Sequence, residues 1–299
     1  MKRKGIILAG GSGSRLYPMT IAISKQLLPI YNKPLIYHPL TTLMLAQITE
    51  ILVITTPEDS ATFYKLLGDG SQWGINLSYA QQPSPDGLAQ ALIIAEEFLQ
   101  NAPCAPILGD NIFYGSDFTN ILASANNNTA GATIFAYNVS DPERYGVASV
   151  DANGRVIDIE EKPENPKSNL AVTGLYFYDA DAAYRAKQLR PSIRNELEIT
   201  DLNRAYLKEE ELKCETLGRG FAWFDTGTYD SLLEAASFVR TLERRQGVLL
   251  ASPEGVAINN NWITSEDLLE HAEKQTNQKL AQYYATLLSR LSYHENRKS

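Results

Sequence analysis

Histidine and cysteine are scarce in this chain of 299 residues: the histidines are His38, His271 and His294, and the cysteines, Cys104 and Cys214, stand far apart. This set does not bring together the nitrogen and sulfur ligands of a zinc site, and it favours buried reduced thiols over a disulfide or redox centre. Any metal is therefore expected to be a hard cation held by oxygen. Long apolar runs are also missing. No stretch approaches the roughly eighteen uninterrupted apolar residues that a membrane helix needs, and Met1-Lys2-Arg3-Lys4 passes straight into a strand-like run. A cytoplasmic protein without a membrane partner is expected. Positive charge is in deficit, with 27 Lys and Arg against 35 Asp and Glu and a net charge of -8. Binding along a nucleic-acid backbone needs many clustered cations, so nucleic acid is not an expected partner, and attraction to any anionic ligand has to be local. Neither low-complexity tracts nor repeats are present.

What the chain does have is apolar content, at 44%, distributed in short periodic runs. Gly5-Ile6-Ile7-Leu8-Ala9 reads as a buried strand opening into Gly10-Gly11-Ser12-Gly13-Ser14-Arg15. A helix is predicted over 35–48, a strand over 51–55, a helix over 58–67, a strand over 77–81, a helix over 87–99 and a strand over 105–108 running into Gly109-Asp110-Asn111. This alternation predicts an α/β fold, Rossmann-like, with a mixed, mainly parallel central sheet flanked by helices. Strand character then dominates from 132 to 178, and helices are predicted over 196–209, 229–246 and, in an amphipathic tail, 265–292. Ligands of such sheets bind outside the carboxyl ends of the strands. Segments 10–15, 82–87 and 109–111 each follow a predicted strand and should converge on one crevice.

The glycine loop fails the tests for the two better-known phosphate loops. A P-loop ends in Gly-Lys-Ser/Thr, whereas Gly13 is followed by Ser14-Arg15; a dinucleotide fingerprint needs glycine where Leu16 stands and an acidic residue where Thr55-Thr56-Pro57 stands. What remains is backbone able to aim several N–H groups at phosphate oxygens, with Arg15 as a planar multidentate donor. Glycine clusters also make plain surface turns, and the loop alone leaves that alternative open.

Read together, Gly10-Gly11-Ser12-Gly13-Ser14-Arg15-Leu16-Tyr17-Pro18 and Lys25-Gln26-Leu27-Leu28-Pro29 resemble the nucleotide-sugar pyrophosphorylase family. The resemblance continues in order through Gln82-Pro83-Ser84-Pro85-Asp86-Gly87, Gly109-Asp110-Asn111, Glu160-Glu161-Lys162-Pro163, Val172-Thr173-Gly174-Leu175-Tyr176 and Trp223-Phe224-Asp225-Thr226-Gly227, spanning about 5 to 245. It implies a nucleotide-diphospho-sugar transferase fold of GT-A-like type. It also implies one nucleotidyltransferase domain over 1–245, with a nucleotide-binding half at 1–130 and a sugar-binding half at 131–245, and a helical extension at 246–299. The form of segments 82–89 and 194–203 is similar to members that transfer dTMP from dTTP to glucose 1-phosphate with Mg2+ and release pyrophosphate.

In that chemistry the sugar phosphate is its own nucleophile, so a shortage of histidine is no objection. The obstacle is repulsion: each pair of like charges at 4 Å costs ~1 kcal/mol in water and ~4 kcal/mol at an effective dielectric of 20. The resemblance assigns Arg15, Lys25, Lys162 and Arg194 as the cations of catalysis. Gly10, Gly11, Gly13, Ser14, Arg15, Lys25, Gln26, Gln82, Pro85, Gly87 and Asp110 are assigned to the nucleotide, with Gln82 offering a donor and an acceptor to thymine or uracil. Tyr145, Gly146, Glu161, Lys162, Val172, Tyr176, Arg194 and Trp223 fall to the sugar phosphate, and Asp110 and Asp225 to Mg2+. Asp225-Thr226-Gly227 would equally suit a turn, and Glu160-Glu161-Lys162 a solvated charge run. The tail's apolar positions, Leu268, Leu269, Leu280, Tyr284, Leu287, Leu288 and Leu291, suit helix packing and a subunit interface. Family resemblance implies a homotetramer with feedback inhibition by a dTDP-sugar at an interface that includes Arg219. Alternatives are a UTP- or ATP-using pyrophosphorylase and a non-catalytic regulatory subunit; retention of Arg15, Lys25, Asp110, Lys162 and Asp225 counts against the latter.

Overall fold

The first apolar run forms strand β1 (Lys4–Ala9), whose side chains leave on opposite faces: Ile7 and Ala9 enter one core, Ile6 and Leu8 another. The computed structural model describes residues 1–11, 13–273 and 278–295; Ser12 and the side chains of Leu280 and Leu291 lie outside the described residues. A two-residue hairpin, β2 (Pro29–Ile30) with β3 (Lys33–Pro34), precedes α1 (Tyr37–Leu45), β4 (Glu50–Thr55), α2 (Ser60–Leu67) and β5 (Asn76–Gln81). Then come α3 (Gln90–Ile94), α4 (Glu96–Leu99), β6 (Cys104–Leu108), β7 (Asn111–Tyr114) and α5 (Phe118–Asn127). The second half holds β8 (Ala132–Asn138), β9 (Gly146–Val150), β10 (Val156–Glu161), β11 (Leu170–Tyr178), α6 (Ala182–Lys187), α7 (Ile199–Lys208), β12 (Leu212–Leu217) and β13 (Ala222–Asp225). Four helices close the chain: α8 (Tyr229–Gln246), α9 (Pro253–Asn259), α10 (Ser265–Glu273) and α11 (Gln278–Glu295).

Strands β6, β1, β4 and β5 lie parallel in that order, so β1 is flanked by β4, the next strand of this sheet, and by the later β6. That reversal is the switch point where crevices open in α/β sheets. Long β11 pairs antiparallel with β6, and through β8, β9, β10 and β12 it extends the same sheet to nine strands. Residues 1–130 and 131–245 thus share one sheet, mixed and mainly parallel around β1 as expected, with a further parallel pair between β12 and β8. Outside it, β7 and β13 form a two-stranded antiparallel arm that sets Asp225 opposite Asn111.

Both faces of the sheet are covered, which is why β1, β4 and β6 read as continuous apolar runs rather than alternating ones. Helices α1, α2 and α5 cover one face and α3, α4, α6 and α7 the other. A third cluster joins Leu232, Ala235 and Val239 of α8 to Leu16, Ile30 and Ile112. Helix α8 starts at a capping box between Thr228 and Ser231 and stops at Gly247, φ 63°. None of the helices is long and apolar enough to cross a membrane among the described residues.

Some elements differ from the periodicity. The helix predicted from Gly87 starts only at Gln90, because Gly87 has φ 109° and serves a turn, and it is split in two at Ala95. The tail is two helices rather than one, and α5, α6 and α9 are short helices that periodicity does not mark. Leu268 and Tyr284 of the tail are buried in the protein's own core, with Leu287 and Leu288 packed against it, whereas Leu269 is half exposed.

Candidate active site

Strand pairing explains how two carboxylates distant in sequence meet. Asp110 leaves β6 and Asp225 ends β13; Thr226 donates both its backbone N–H (3.2 Å) and its hydroxyl (2.8 Å) to the Asp110 carbonyl. Asp110 is 6% exposed. Its Oδ1 accepts from the Asn111 amide at 3.0 Å and its Oδ2 pairs with the Lys25 ammonium. Burial alone would raise the Asp110 carboxyl, but the charge and hydrogen bond of Lys25, with that of Asn111, outweigh it and hold the group below the ordinary carboxylate range. Asp225 goes the other way: burial raises it and the Asp110 charge adds to that, only partly offset by Lys25, Arg15 and Arg144. Asn111, fully buried, turns its carbonyl to the Gly174 N–H (3.0 Å) and the Trp223 indole (2.7 Å), so the carboxylate corner is tied to the sugar half.

The loop after β1 brings up the cations. Lys25 passes Gly11 on its way to Asp110, and the Arg15 guanidinium lies against Gly227, two residues beyond Asp225. Gln26 is 2% exposed; Ser24 donates to its Oε1 at 2.6 Å and Ile36 to its carbonyl at 2.9 Å, so it fastens the loop as well as lining the cavity.

The loop after β5 carries Gln82, Pro85 and Gly87. Gly87 is irreplaceable on two counts: φ 109° suits glycine alone, and a Cβ would stand 2.4 Å from the Leu197 carbonyl oxygen. Leu197 donates to Asp86 (2.7 Å) and accepts from Ala89 (3.0 Å), so this loop is stitched to the segment that holds Arg194. Gln82 differs from the sequence reading in its polarity. Its amide nitrogen donates to Gln90 Oε1 at 2.6 Å and faces the Gly87 carbonyl at 3.4 Å, which leaves the acceptor, not a donor and acceptor pair, for a ligand.

In the sugar half, Glu161 ends β10 and accepts from the Thr200 hydroxyl (2.6 Å) and from Arg194 (3.4 Å). Arg194 is clamped by both oxygens of Glu198, at 3.2 and 2.8 Å, and Ser192 steadies that carboxylate at 2.7 Å. Lys162 sits at φ 44°, left-handed backbone that a lysine rarely adopts, and its N–H donates to the Tyr145 carbonyl at 3.0 Å. Its side chain remains half exposed. Tyr145 and Trp223 stack at a tilt, 5.1 Å between ring centres, as one wall; Gly146, Val172 and Tyr176 line the floor.

The residues assigned to the site from the sequence line one cavity of about 440 Å3: the glycine loop, Arg15, Lys25, Gln82, Asp110, Lys162, Arg194 and Asp225 among them. Sequence reasoning gave no role to Arg144, Glu198 or Thr200, which line it too. Glu198 and Thr200 stand at the start of α7, Glu198 just before it and Thr200 in its first turn, where a cap is the default reading; only the contacts with Arg194 and Glu161 reveal more. Among the described residues no three histidine, cysteine or carboxylate side chains gather as a metal cluster.

A switch-point crevice lined with glycine backbone, cations and two carboxylates has the chemistry that suits phosphorylated ligands. The chain belongs to the nucleotidyl transferase family, whose model matches residues 4–241. It is 58% identical over 287 residues to the glucose-1-phosphate thymidylyltransferase of Neisseria meningitidis, covering 96% of this chain and all of that one. A Bacillus anthracis chain solved with a sucrose is 44% identical, with TM-score 0.74 over 80% of this chain and 95% of that one. A UDP-glucose pyrophosphorylase solved with UDP-glucose is 25% identical, with TM-score 0.71 over 81% and 99%.

Proposed function

We propose that this protein transfers dTMP from dTTP to α-D-glucose 1-phosphate, giving dTDP-glucose and pyrophosphate. The observation that carries the reading is the gathering of Arg15, Lys25, Asp110, Lys162, Arg194 and Asp225 around one cavity, with the base loop and the sugar wall on its two sides. A phosphate oxygen of the sugar phosphate attacks the α-phosphorus in line, and pyrophosphate leaves. Lys162 and Arg194 bind and aim the sugar phosphate. Arg15 and the glycine-loop amides take the β- and γ-phosphates, and Lys25 takes the phosphates around the reacting centre. Glu161 accepts from glucose hydroxyls against the Tyr145 and Trp223 wall. Positioning and charge neutralisation account for most of the rate in such a reaction.

The donor set suits Mg2+, a hard cation that takes most of its shell from phosphate and water. No hydrogen bond from the described residues reaches the Asp225 carboxylate, and its charge faces that of Asp110, an arrangement that a divalent cation relieves. Asp110 and Asp225 would hold the ion, which when bound supplies Lewis-acid polarisation and neutralises phosphate charge. Lys25 is engaged with Asp110 in the free protein and would be released toward phosphate. Residues 1–245 act as the catalytic unit in this reading, with 1–130 serving the nucleotide and 131–245 the sugar. The extension 246–299 contributes a subunit surface in a cytoplasmic homotetramer, with a dTDP-sugar feedback site that includes Arg219.

Pyrophosphate release with glucose 1-phosphate, measured across dTTP, UTP, ATP, GTP and dCTP, tests the activity. The highest kcat/KM is expected with dTTP; a faster rate with UTP or ATP rejects the nucleotide assignment. Asp110→Asn is expected to lower turnover by about a hundredfold or more while the fold, read by circular dichroism, is retained.

A further inference from the structure

Gln82 faces the cavity from the end of β5, and a glutamine amide could present either its oxygen or its nitrogen there. A chain of side-chain hydrogen bonds decides which. Asp86 Oδ2 accepts from Gln90 Nε2 at 2.9 Å; Gln90 Oε1 accepts from Gln82 Nε2 at 2.6 Å. The second N–H of the Gln82 amide points to the Gly87 carbonyl, 3.4 Å away. A carboxylate can only accept, so Gln90 must turn its nitrogen toward Asp86 and its oxygen toward Gln82, and Gln82 must turn its nitrogen toward Gln90. Ser84 donates to the same Asp86 oxygen and steadies the carboxylate. What is left for the cavity is Gln82 Oε1. That oxygen sits beside Gly10, where a Cβ would stand 2.7 Å from it, and among the described residues no donor reaches it. The glycine at position 10 therefore makes room for the amide oxygen as well as for phosphate.

We infer that Asp86 and Gln90 are specificity-determining residues: by fixing the polarity of Gln82, they select a base that offers an imide N–H and reject one that offers a ring-nitrogen acceptor. Thymine and uracil carry that N–H at N3; cytosine carries a lone pair there, which would face the lone pairs of Gln82 Oε1. The relay discriminates between base edges and is indifferent to the thymine methyl group. This rests on the reading of segment 82–87 as the base-recognition loop of a pyrimidine-nucleotide transferase.

The relay makes an unusual demand on double variants. Asp86→Asn replaces the acceptor-only end by an amide that can face either way, so Gln90 and Gln82 can both reverse, opposed only by the long 3.4 Å contact with the Gly87 carbonyl, and offer the Gln82 N–H groups to the cavity. Adding Gln90→Glu to that variant restores an acceptor-only group one position nearer: the carboxylate then at position 90 accepts from both the residue-86 amide and Gln82, and Gln82 Oε1 is again turned to the cavity. In pyrophosphate-release assays the ratio of kcat/KM for dTTP to that for dCTP is expected to fall by about tenfold in Asp86→Asn, the worth of one hydrogen bond at the reading atom. In Asp86→Asn/Gln90→Glu it is expected to return to within about threefold of wild type. The KM for glucose 1-phosphate should be unchanged in both. A ratio within twofold of wild type in a folded Asp86→Asn protein overturns the relay, and so does a double variant no better than the single one. Equilibrium binding of dTTP and dCTP to the same proteins reads the relay without turnover. If wild-type protein prefers dTTP in binding, and the preference moves as stated, the relay stands even where the glucose 1-phosphate reaction fails; loss of turnover alone bears only on the proposed activity.

Discussion

Burial raises the Asp225 carboxyl and the nearby charge of Asp110 raises it further, while Lys25 holds Asp110 down. These opposite shifts give opposite pH signatures. Between the unfolded carboxyl value of about 3.9 and its raised folded value, Asp225 keeps a proton that the unfolded chain has lost, so its contribution to stability is lost as pH rises through that window. Asp110 contributes stability above the unfolded value, and this is lost as pH falls through its lowered one. Asp225→Asn should therefore melt higher than wild type at neutral pH without metal, with the gap closing toward acid pH, and should lose turnover. Thermal melts at both pH values read this, and a variant that melts lower at neutral pH contradicts the placement of Asp225 as a charge under strain. His38 is a separate case at the same scale: burial and then the Lys33 charge push it down to about 3, so it stays neutral in the core and takes no part in the site.

At the scale of elements, the site depends on joints between strand ends. Thr226 is fully buried and bridges from the end of β13 to the Asp110 carbonyl, fixing how the two carboxylates stand to each other. Thr226→Val keeps the shape and removes the hydroxyl bond, at a cost of about 1 to 3 kcal/mol for the polar group left short of a partner. The expected kinetic mark is a higher Mg2+ concentration for half-maximal rate, with kcat largely recovered at saturating metal; a Mg2+ dependence identical to wild type removes the joint from the functional account. The start of α7 is a second joint, because Glu198 and Thr200 hold Arg194 and Glu161 while Leu197 is hydrogen-bonded to the loop after β5. Periodicity marked the strands around β1 well, since a run buried on both faces is apolar throughout. It did not mark the β7–β13 arm or α9, which are four to seven residues long and too short to show a period.

For the molecule as a whole, the continuous sheet from β5 to β10 and β12 places the loops after β1, β5 and β6 and the end of β10 on one frame. The helical tail is part of that frame: Val256, Ile258, Leu268 and Tyr284 bury into the core under α1. Leu268→Ala is expected to cost about 2 to 5 kcal/mol, measurable as a lower unfolding midpoint in urea, and a change under about 0.5 kcal/mol would place the tail outside the core. The proposed tetramer would then use what the tail leaves outward, such as half-exposed Leu269, rather than its buried leucines.

Residue order by itself determined the α/β class, the glycine loop and the family segments, because each is written in local composition or in motifs a few residues long. The convergence of segments 10–15, 82–87 and 109–111 was legible too, since segments that follow parallel strands emerge at one end of a sheet, whereas the rest of the cavity's lining was legible only through the family resemblance and not at Arg144, Glu198 or Thr200. Only the tertiary structure decided which way each polar group points. That Gln82 offers oxygen, that Lys25 rests on Asp110, and that Thr200 and Glu198 orient Glu161 and Arg194 all depend on hydrogen bonds between side chains set close by the fold. An amide or a carboxylate takes its role from its neighbours in space.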